Sequence, residues 1–415
     1  MSSRVTFSSV TESPLVLAAF FDGEATDGGG YVHKLGTLRV LRRMRSPRLD
    51  VVVICGSKKA VEAVEASGLR GVFTPRGWWR RILGEISGMP FVKVYLGRTW
   101  GRRLSSLDRL LTKLKVDLVF FSSPDRRAMQ LYTHNFVFTI MDLAHLEHPE
   151  FPEVSSFGEF ERREQLFTAT ARKAVALLAD SEPARRLIVD RYGVPESRVF
   201  AAPFLVSSAI REFNSDPEAT AEVRKRFGIK DPYIFYPAQF WAHKNHKYIV
   251  QALREMRNRF GWAPQAVFCG SDKGMLSRVL LLARDLEVDD LVVYCGFISA
   301  DELPHLYQSA LALVMPTYFG PSNIPPMEAQ SLGVPVCYSD LPGFREHFGE
   351  SVKYIDLDNP GALAEVLNEI NCERDESRSL RADVPDVRCA AGDDEYFRVL
   401  MEIVERYRNK AFGGN

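Results

Sequence analysis

Short apolar runs alternate with stretches of helical periodicity along most of the chain. In the first half, runs at 15–21, 51–54, 118–121, 136–140 and 176–179 have the length and continuity of strands buried on both faces. Between them, apolar positions three or four residues apart predict helices over 31–43, 59–65, 103–113, 157–173 and 183–192. A second series predicts strands at 233–236, 266–269, 291–295, 311–315, 334–338 and 352–355, again with helices between. This alternation predicts parallel α/β architecture. The pattern loosens at 203–208 and a polar stretch, Asn214-Ser-Asp-Pro-Glu218, follows. The boundary is therefore expected near residue 210, giving an N-terminal domain at 1–210 and a second doubly wound domain at 211–393. The C-terminal stretch 394–415, with a helix over 394–406, is expected to pack back on the first domain.

Two facing parallel sheets bind ligands in the crevice outside their carboxyl ends, so the loops there carry the candidate chemistry. Residues 316–337 predict a strand end, a Gly/Asn loop, a helix opened by Pro325 and Pro326 and closed at Gly333, and another strand. Glu328 then falls in the first helical turn. Loop N–H groups at a helix start favour a phosphate. A carboxylate a little further on is a bidentate acceptor for two ribose hydroxyls, and the combination indicates a nucleotide. A Glu in a first turn also serves as a plain cap complementing the helix dipole. The segment Tyr236–His246 places Lys244 at the start of a helix, with Asn245 as its N-cap and Gln239 five residues before the lysine. Lys244 there would neutralise a diphosphate, against the ordinary role of a solvated surface cation. Phe297, in the turn Cys295-Gly-Phe-Ile298, could meet a flat base or simply belong to the core.

Composition narrows the class. The chain has 415 residues, 46% hydrophobic and 26% charged, enough for two cores. Lys plus Arg equal Asp plus Glu at 53 each, which argues against a nucleic-acid partner. The six cysteines show no paired spacing, so neither a zinc site nor a disulfide framework is expected. No apolar run reaches a membrane-spanning length, and the first residues lack a signal-peptide core, so a cytoplasmic protein is expected.

With those loops in order, the second half resembles the donor-binding domain of glycosyltransferase family 4, the group 1 transferases of GT-B fold. The resemblance is carried by Tyr236-Pro-Ala-Gln239 with His243-Lys-Asn-His246, Phe268-Cys-Gly270, Cys295-Gly-Phe297 followed by Glu302 and Leu306-Tyr307, and the stretch 319–336. The first half is similar more loosely, through Asp27-Gly-Gly-Gly-Tyr31, through Phe138-Thr-Ile-Met-Asp-Leu-Ala-His145 with Pro149-Glu-Phe-Pro-Glu153, and through Ala179-Asp-Ser-Glu182, as in a bacterial polysaccharide-assembly branch. The resemblance implies a GT-B fold of two Rossmann-like domains facing a cleft. It assigns Lys244 to the donor diphosphate, Glu328 to the ribose, and the Asn323 and Ile324 backbone amides to the distal phosphate or sugar. Gly29 and Gly30 would close over the diphosphate. Three positions depart from the family pattern: Gly320 where a glutamate is usual, Gln239 where an arginine is common, and Met141 where a histidine is common.

The implied activity is that of a retaining, metal-independent hexosyltransferase moving a sugar from a nucleoside diphosphate sugar (UDP or GDP unresolved) to a hydroxyl of a glycan or lipid-linked acceptor. No cofactor is implied beyond that co-substrate. Asp142 is the candidate for positioning acceptor or sugar, with a loop-capping role as its alternative; His145 and His148 have weaker claims. The departures motivate one rival, a nucleotide-sugar-binding scaffold without turnover, and a sugar-nucleotide epimerase is a lesser one. Residues 76–115 hold ten Lys/Arg against two Asp/Glu, with Trp78, Trp79 and Trp100 interleaved. This suggests contact with an anionic membrane surface at the inner face of the cell membrane, or else a solvated basic face.

Overall fold

The computed structural model describes residues 14–22, 28–74, 105–320, 323–376 and 387–413. Its backbone forms two parallel sheets. The first has seven strands: β1 (Leu15–Phe21), β2 (Leu49–Cys55), β3 (Arg70–Phe73), β4 (Leu118–Phe121), β5 (Asn135–Thr139), β6 (Ala176–Ala179) and β7 (Val199–Ala201). Their order is β3-β2-β1-β4-β5-β6-β7. The second has six: β8 (Tyr233–Pro237), β9 (Gln265–Cys269), β10 (Val292–Tyr294), β11 (Ala312–Met315), β12 (Val336–Ser339) and β13 (Lys353–Ile355), in the order β10-β9-β8-β11-β12-β13. Both orders reverse direction once, between β1 and β4 and between β8 and β11, and such switch points are where open α/β sheets take ligands. Together these sheets make the two-domain GT-B fold.

The β1 sequence is apolar throughout because both its faces are covered. Leu15, Leu17, Ala19 and Phe21 enter one core, while Ala18 and Phe20 enter the core on the opposite face. β2 pairs with β1 in register from Leu15↔Leu49 to Phe21↔Cys55 and alternates the same way. β3 and β7, absent from the sequence-based expectation, are the two edges of this sheet; Arg70 and Gly71 leave β3 without an apolar run, while β7 is apolar but only three residues long.

The long helix Val387–Phe412 lies on the first sheet. Its Tyr396, Leu400, Ile403 and Val404 share a core with Leu38, Val40, Leu41 and Met44 of the helix Gly29–Met44. Arg43 pairs with Asp394 at 2.8 Å at the edge of this contact. Asp393, at the helix's early turns, also pairs with Arg39 and with Arg211 of the inter-sheet connection.

Among the described residues no helix is long and apolar enough to cross a membrane. Of the basic stretch 76–115, residues 76–104, with all three tryptophans, lie outside the described residues.

Candidate functional site

The loops after β8 and β11, which flank the switch point of the second sheet, meet at a side-chain bond: the Lys244 ammonium donates to Asn323 Oδ1 at 3.0 Å. Lys244 ends a 3-10 turn, Ala242–Lys244, ahead of the helix His246–Phe260. The Tyr236 hydroxyl donates to the Lys244 carbonyl at 2.8 Å and pins the turn to β8. Burial pulls the lysine pKa down to about 8, against the opposing fields of Asp142 and Glu153 from the first domain. Asn245 does occupy the N-cap position. It does so in a left-handed conformation with no side-chain cap bond, so its capping role by side chain is not realised.

Asn323 is the N-cap of the helix Ile324–Ser331. Its Nδ2 donates to the Gly320 carbonyl and, at 2.8 Å, to the Tyr338 hydroxyl. Gly320 has φ +89, and a Cβ there would sit 2.9 Å from Asn323 Nδ2. The volume that a side chain at 320 would enter is thus filled by the amide that also holds Lys244. Pro325 and Pro326 do open the helix, but it begins at Ile324, so Glu328 falls in the second turn instead of the first. The carboxylate is 3% exposed, accepts from the Tyr307 hydroxyl at 2.9 Å, and faces the backbone amide of Ser207 in the inter-sheet connection. Burial raises its pKa to about 7 in spite of those bonds.

Gly29 and Gly30 lie in the first turn of the helix Gly29–Met44, after Gly28 with φ +73. A methyl at Gly29 would lie 3.6 Å from Ile324 Cδ1, and one at Gly28 3.6 Å from Gln239 Nε2. The helix start therefore faces both loops of the second sheet, and at Gly30 nothing lies within 4 Å of the added methyl. The Gln239 Oε1 accepts from the Trp241 indole at 2.9 Å. Gly270, which follows β9, abuts this loop so closely that a Cβ would come within 2.7 Å of the Ala238 carbonyl oxygen. Phe297 is 59% exposed in the turn after β10, next to Gly296, whose carbonyl accepts from the Gly270 backbone at 2.8 Å.

Asp142 follows β5 in the first domain. Its Oδ1 accepts from Arg163 at 2.7 Å and from the Ala144 backbone at 3.0 Å. It thus holds a loop and an arginine while its charge reaches Lys244. His145 is fully buried, bonded to Glu164 and packed on Phe160 and Phe167, which makes it a core residue. His148 stacks on Phe319 of the other domain, ring centres 5.8 Å apart.

Sequence reasoning assigned no role to His243, Glu153 or Tyr307. His243 stacks on Phe319 at 3.9 Å and bonds Glu153 across the cleft; its signal was its place in the His243-Lys-Asn-His246 motif. Among the described residues no three His, Cys, Asp or Glu side chains gather where a metal ion could be held.

Residues 219–383 match the family model described as glycosyl transferases group 1. The O-antigen chain mannosyltransferase RfbU of Salmonella typhimurium is 30% identical over 145 residues, 34% of this chain and 39% of its own length. The alpha-D-kanosaminyltransferase of Streptomyces kanamyceticus is 29% identical over 175 residues, 41% of this chain and 44% of its own. The chain therefore spans less than half the length of these curated relatives. Over the whole chain, the crystal structure of HepE from Anabaena in complex with UDP superposes with a TM-score of 0.66 at 13% identity, covering 94% of this chain and 100% of that one. WaaG, a glycosyltransferase involved in lipopolysaccharide biosynthesis, superposes at 0.63 with 14% identity, covering 93% and 99%.

Proposed function

With a group 1 glycosyltransferase domain over residues 219–383 in a GT-B architecture as premise, we propose that the protein is a retaining hexosyltransferase. It transfers a sugar from a nucleoside diphosphate sugar to a hydroxyl of a glycan or lipid-linked acceptor. One observation carries the reading: Lys244, Asn323 and the helix bearing Glu328 converge at the switch point of the second sheet, opposite the glycine start of a helix from the first.

In this reading Lys244 and the backbone N–H groups of Asn323 and Ile324, which precede the two prolines of the helix Ile324–Ser331, hold the diphosphate. Glu328 grips the ribose, Phe297 meets the base, and Gly29 and Gly30 close from the other domain, their helix start adding positive potential. The acceptor oxygen bonds to the anomeric carbon on the face the diphosphate leaves. The carbon–oxygen bond to phosphate breaks, and the acceptor proton passes to the departing phosphate oxygen. Charge grows on that oxygen, and the ammonium and amides stabilise it more in the transition state than before. Such a reaction calls for no protein nucleophile and no metal ion. Asp142, already locked to Arg163, orients the acceptor or the sugar. The transferase names of the curated relatives weigh against the scaffold and epimerase readings.

Thermal-shift measurement with UDP-, GDP- and dTDP-sugars tests the donor class. A rise specific to one base is expected, and no rise with any of them rejects the reading. NMR of the product's anomeric proton then tests retention.

A further inference from the structure

We propose that Glu153, on the acceptor-side domain, is a positioning residue for Lys244 of the donor domain and acts through His243, so that the phosphate lysine is fully seated only when the two domains meet. The inference rests on the reading of Lys244 as the diphosphate contact.

Glu153 lies in the one-turn helix Pro152–Ser155. Its Oε1 accepts twice from one residue of the other domain: from the His243 backbone N–H at 2.9 Å and from His243 Nδ1 at 2.6 Å. Both side chains are nearly dry, 6% and 9% exposed. Burial pulls the His243 pKa down to about 4, so near neutrality the ring is an uncharged donor on Nδ1. Burial works to raise the Glu153 pKa, but the bonds from His243 outweigh it and keep the group an anion. An ionised acceptor makes such bonds short and strong.

The other sides of His243 are held by its own domain. Its ring stacks on Phe319, and its carbonyl accepts from the Tyr318 backbone at 3.0 Å and from the Thr317 hydroxyl at 3.3 Å. The segment bearing Glu153 adds Phe151, whose ring lies 5.2 Å from Tyr318 and 5.8 Å from Phe319. Residue 243 is thus clamped between the β11 loop and the acceptor-side domain, and the next residue in the chain is Lys244. The lysine's carbonyl is fixed by Tyr236 and its ammonium by Asn323. Of the bonds that fix this turn, the pair to Glu153 comes from the other domain. Removing it releases the turn on the side facing the cleft, while the bonds within the donor domain remain. Glu153 needs no contact with the nucleotide for this, which separates it from the phosphate ligands themselves.

Calorimetric titration of the full-length protein with UDP and with GDP tests the assignment, alongside nucleotide-free thermal unfolding. Glu153→Ala is expected to weaken the better-bound nucleotide about tenfold, the effect of losing a hydrogen bond to a charged group. Glu153→Gln, whose amide oxygen accepts the same two bonds, is expected to stay within about threefold of the parent. His243→Ala removes the ring bond and keeps the backbone N–H bond to Glu153. It should weaken binding too, and the double variant should lose less than the sum of the two single losses, since the ring bond is common to both. If Glu153→Ala folds poorly, Glu153→Asp, which withdraws the carboxylate by one methylene, carries the same test. Nucleotide affinity unchanged in both the Ala and Asp variants, while Lys244→Ala weakens it, overturns the role of Glu153 alone. Additive losses in the double variant overturn the path through His243. Unchanged affinity in Lys244→Ala overturns the underlying reading of the site.

Discussion

The ammonium of Lys244 and the side-chain oxygen of Asn323 are 3.0 Å apart, although 79 residues of chain separate them. The bond joins the two loops on either side of the switch between β8 and β11. It holds the cation at the start of the helix Ile324–Ser331, where the Ile324 N–H has no partner within the helix and Pro325 and Pro326 carry no N–H. Lys244→Ala is therefore expected to weaken nucleoside diphosphate binding by about 1.5–3 kcal/mol, the range for a hydrogen bond to a charged group. Titration calorimetry reads this directly, and an unchanged dissociation constant rejects the phosphate role.

The same two residues set a pH window for binding. Glu328 must be ionised to accept from ribose hydroxyls, and its pKa is raised to about 7, so affinity falls as pH drops below that value. Lys244 must be protonated to neutralise phosphate, and its pKa is lowered to about 8, so affinity falls again above that value. Nucleotide affinity is expected to peak between these limits, with each limb approaching about tenfold per pH unit. Glu328→Gln should flatten the acid limb and Lys244→Met the alkaline one. A flat profile for the parent protein from pH 6 to 9 contradicts both assignments (limits set about one unit beyond each pKa).

Gly320 stands where the resembled family usually has a glutamate, and the structure explains why restoring that residue alone should not help. The backbone is at φ +89, and a Cβ would meet both ends of the Asn323 amide, at 2.9 and 3.1 Å. Gly320→Glu is expected to cost about 1–3 kcal/mol of stability from the backbone alone, and to loosen Asn323 and, with it, Lys244. A lower melting temperature together with weaker nucleotide binding is the expected pair of results. A rise in turnover with unchanged melting would show that the amide moves aside freely.

Three buried histidines make the fold sensitive to acid. Burial holds His33 down to about 3, His243 to about 4 and His246 to about 3, so the folded protein keeps them neutral. Below their ordinary value of about 6.5 the unfolded chain takes up protons that the folded chain refuses. Their contribution, complete above that pH, is lost as pH falls toward the folded values, at up to about 1.4 kcal/mol per unit for each histidine. Glu328 opposes this between 4.5 and about 7, because there the folded state holds the extra proton. Burial lowers the His347 pKa as well, so a net dependence of about two to three protons is expected from urea unfolding between pH 6.5 and 4.5. His246→Phe, which preserves the stack on Phe240 at 4.1 Å, should remove one proton from it.

The helix Val387–Phe412 contributes to the core of the first sheet although it follows the second in sequence. Leu400 is fully buried there. Leu400→Ala is expected to cost about 2–5 kcal/mol, visible as earlier denaturant unfolding. Unfolding at the parent's denaturant midpoint would mean that the helix adds little to that core.

Local pattern decided much of this molecule. Continuous apolar runs such as Leu15–Phe21 or Ala312–Met315, too short for core helices, read as strands covered on both faces, and their alternation with helices pointed to parallel sheets. The prolines at 325 and 326 marked a helix start, and the motif residues around Lys244 and Asn323 marked one another as candidates. The edge strand Arg70–Phe73 was not legible, since a half-exposed edge needs no apolar run, and Val199–Ala201 was missed because three apolar residues are too short to mark a strand. Nor were the position of Glu328 in the second turn, the amide filling the space beside Gly320, or the reach of Glu153 to His243, 90 residues away. Periodicity reports which face of an element is buried, because burial acts on each residue where it stands. Which residue of one domain meets which of the other depends on how the two sheets approach, and only the tertiary structure carries that information.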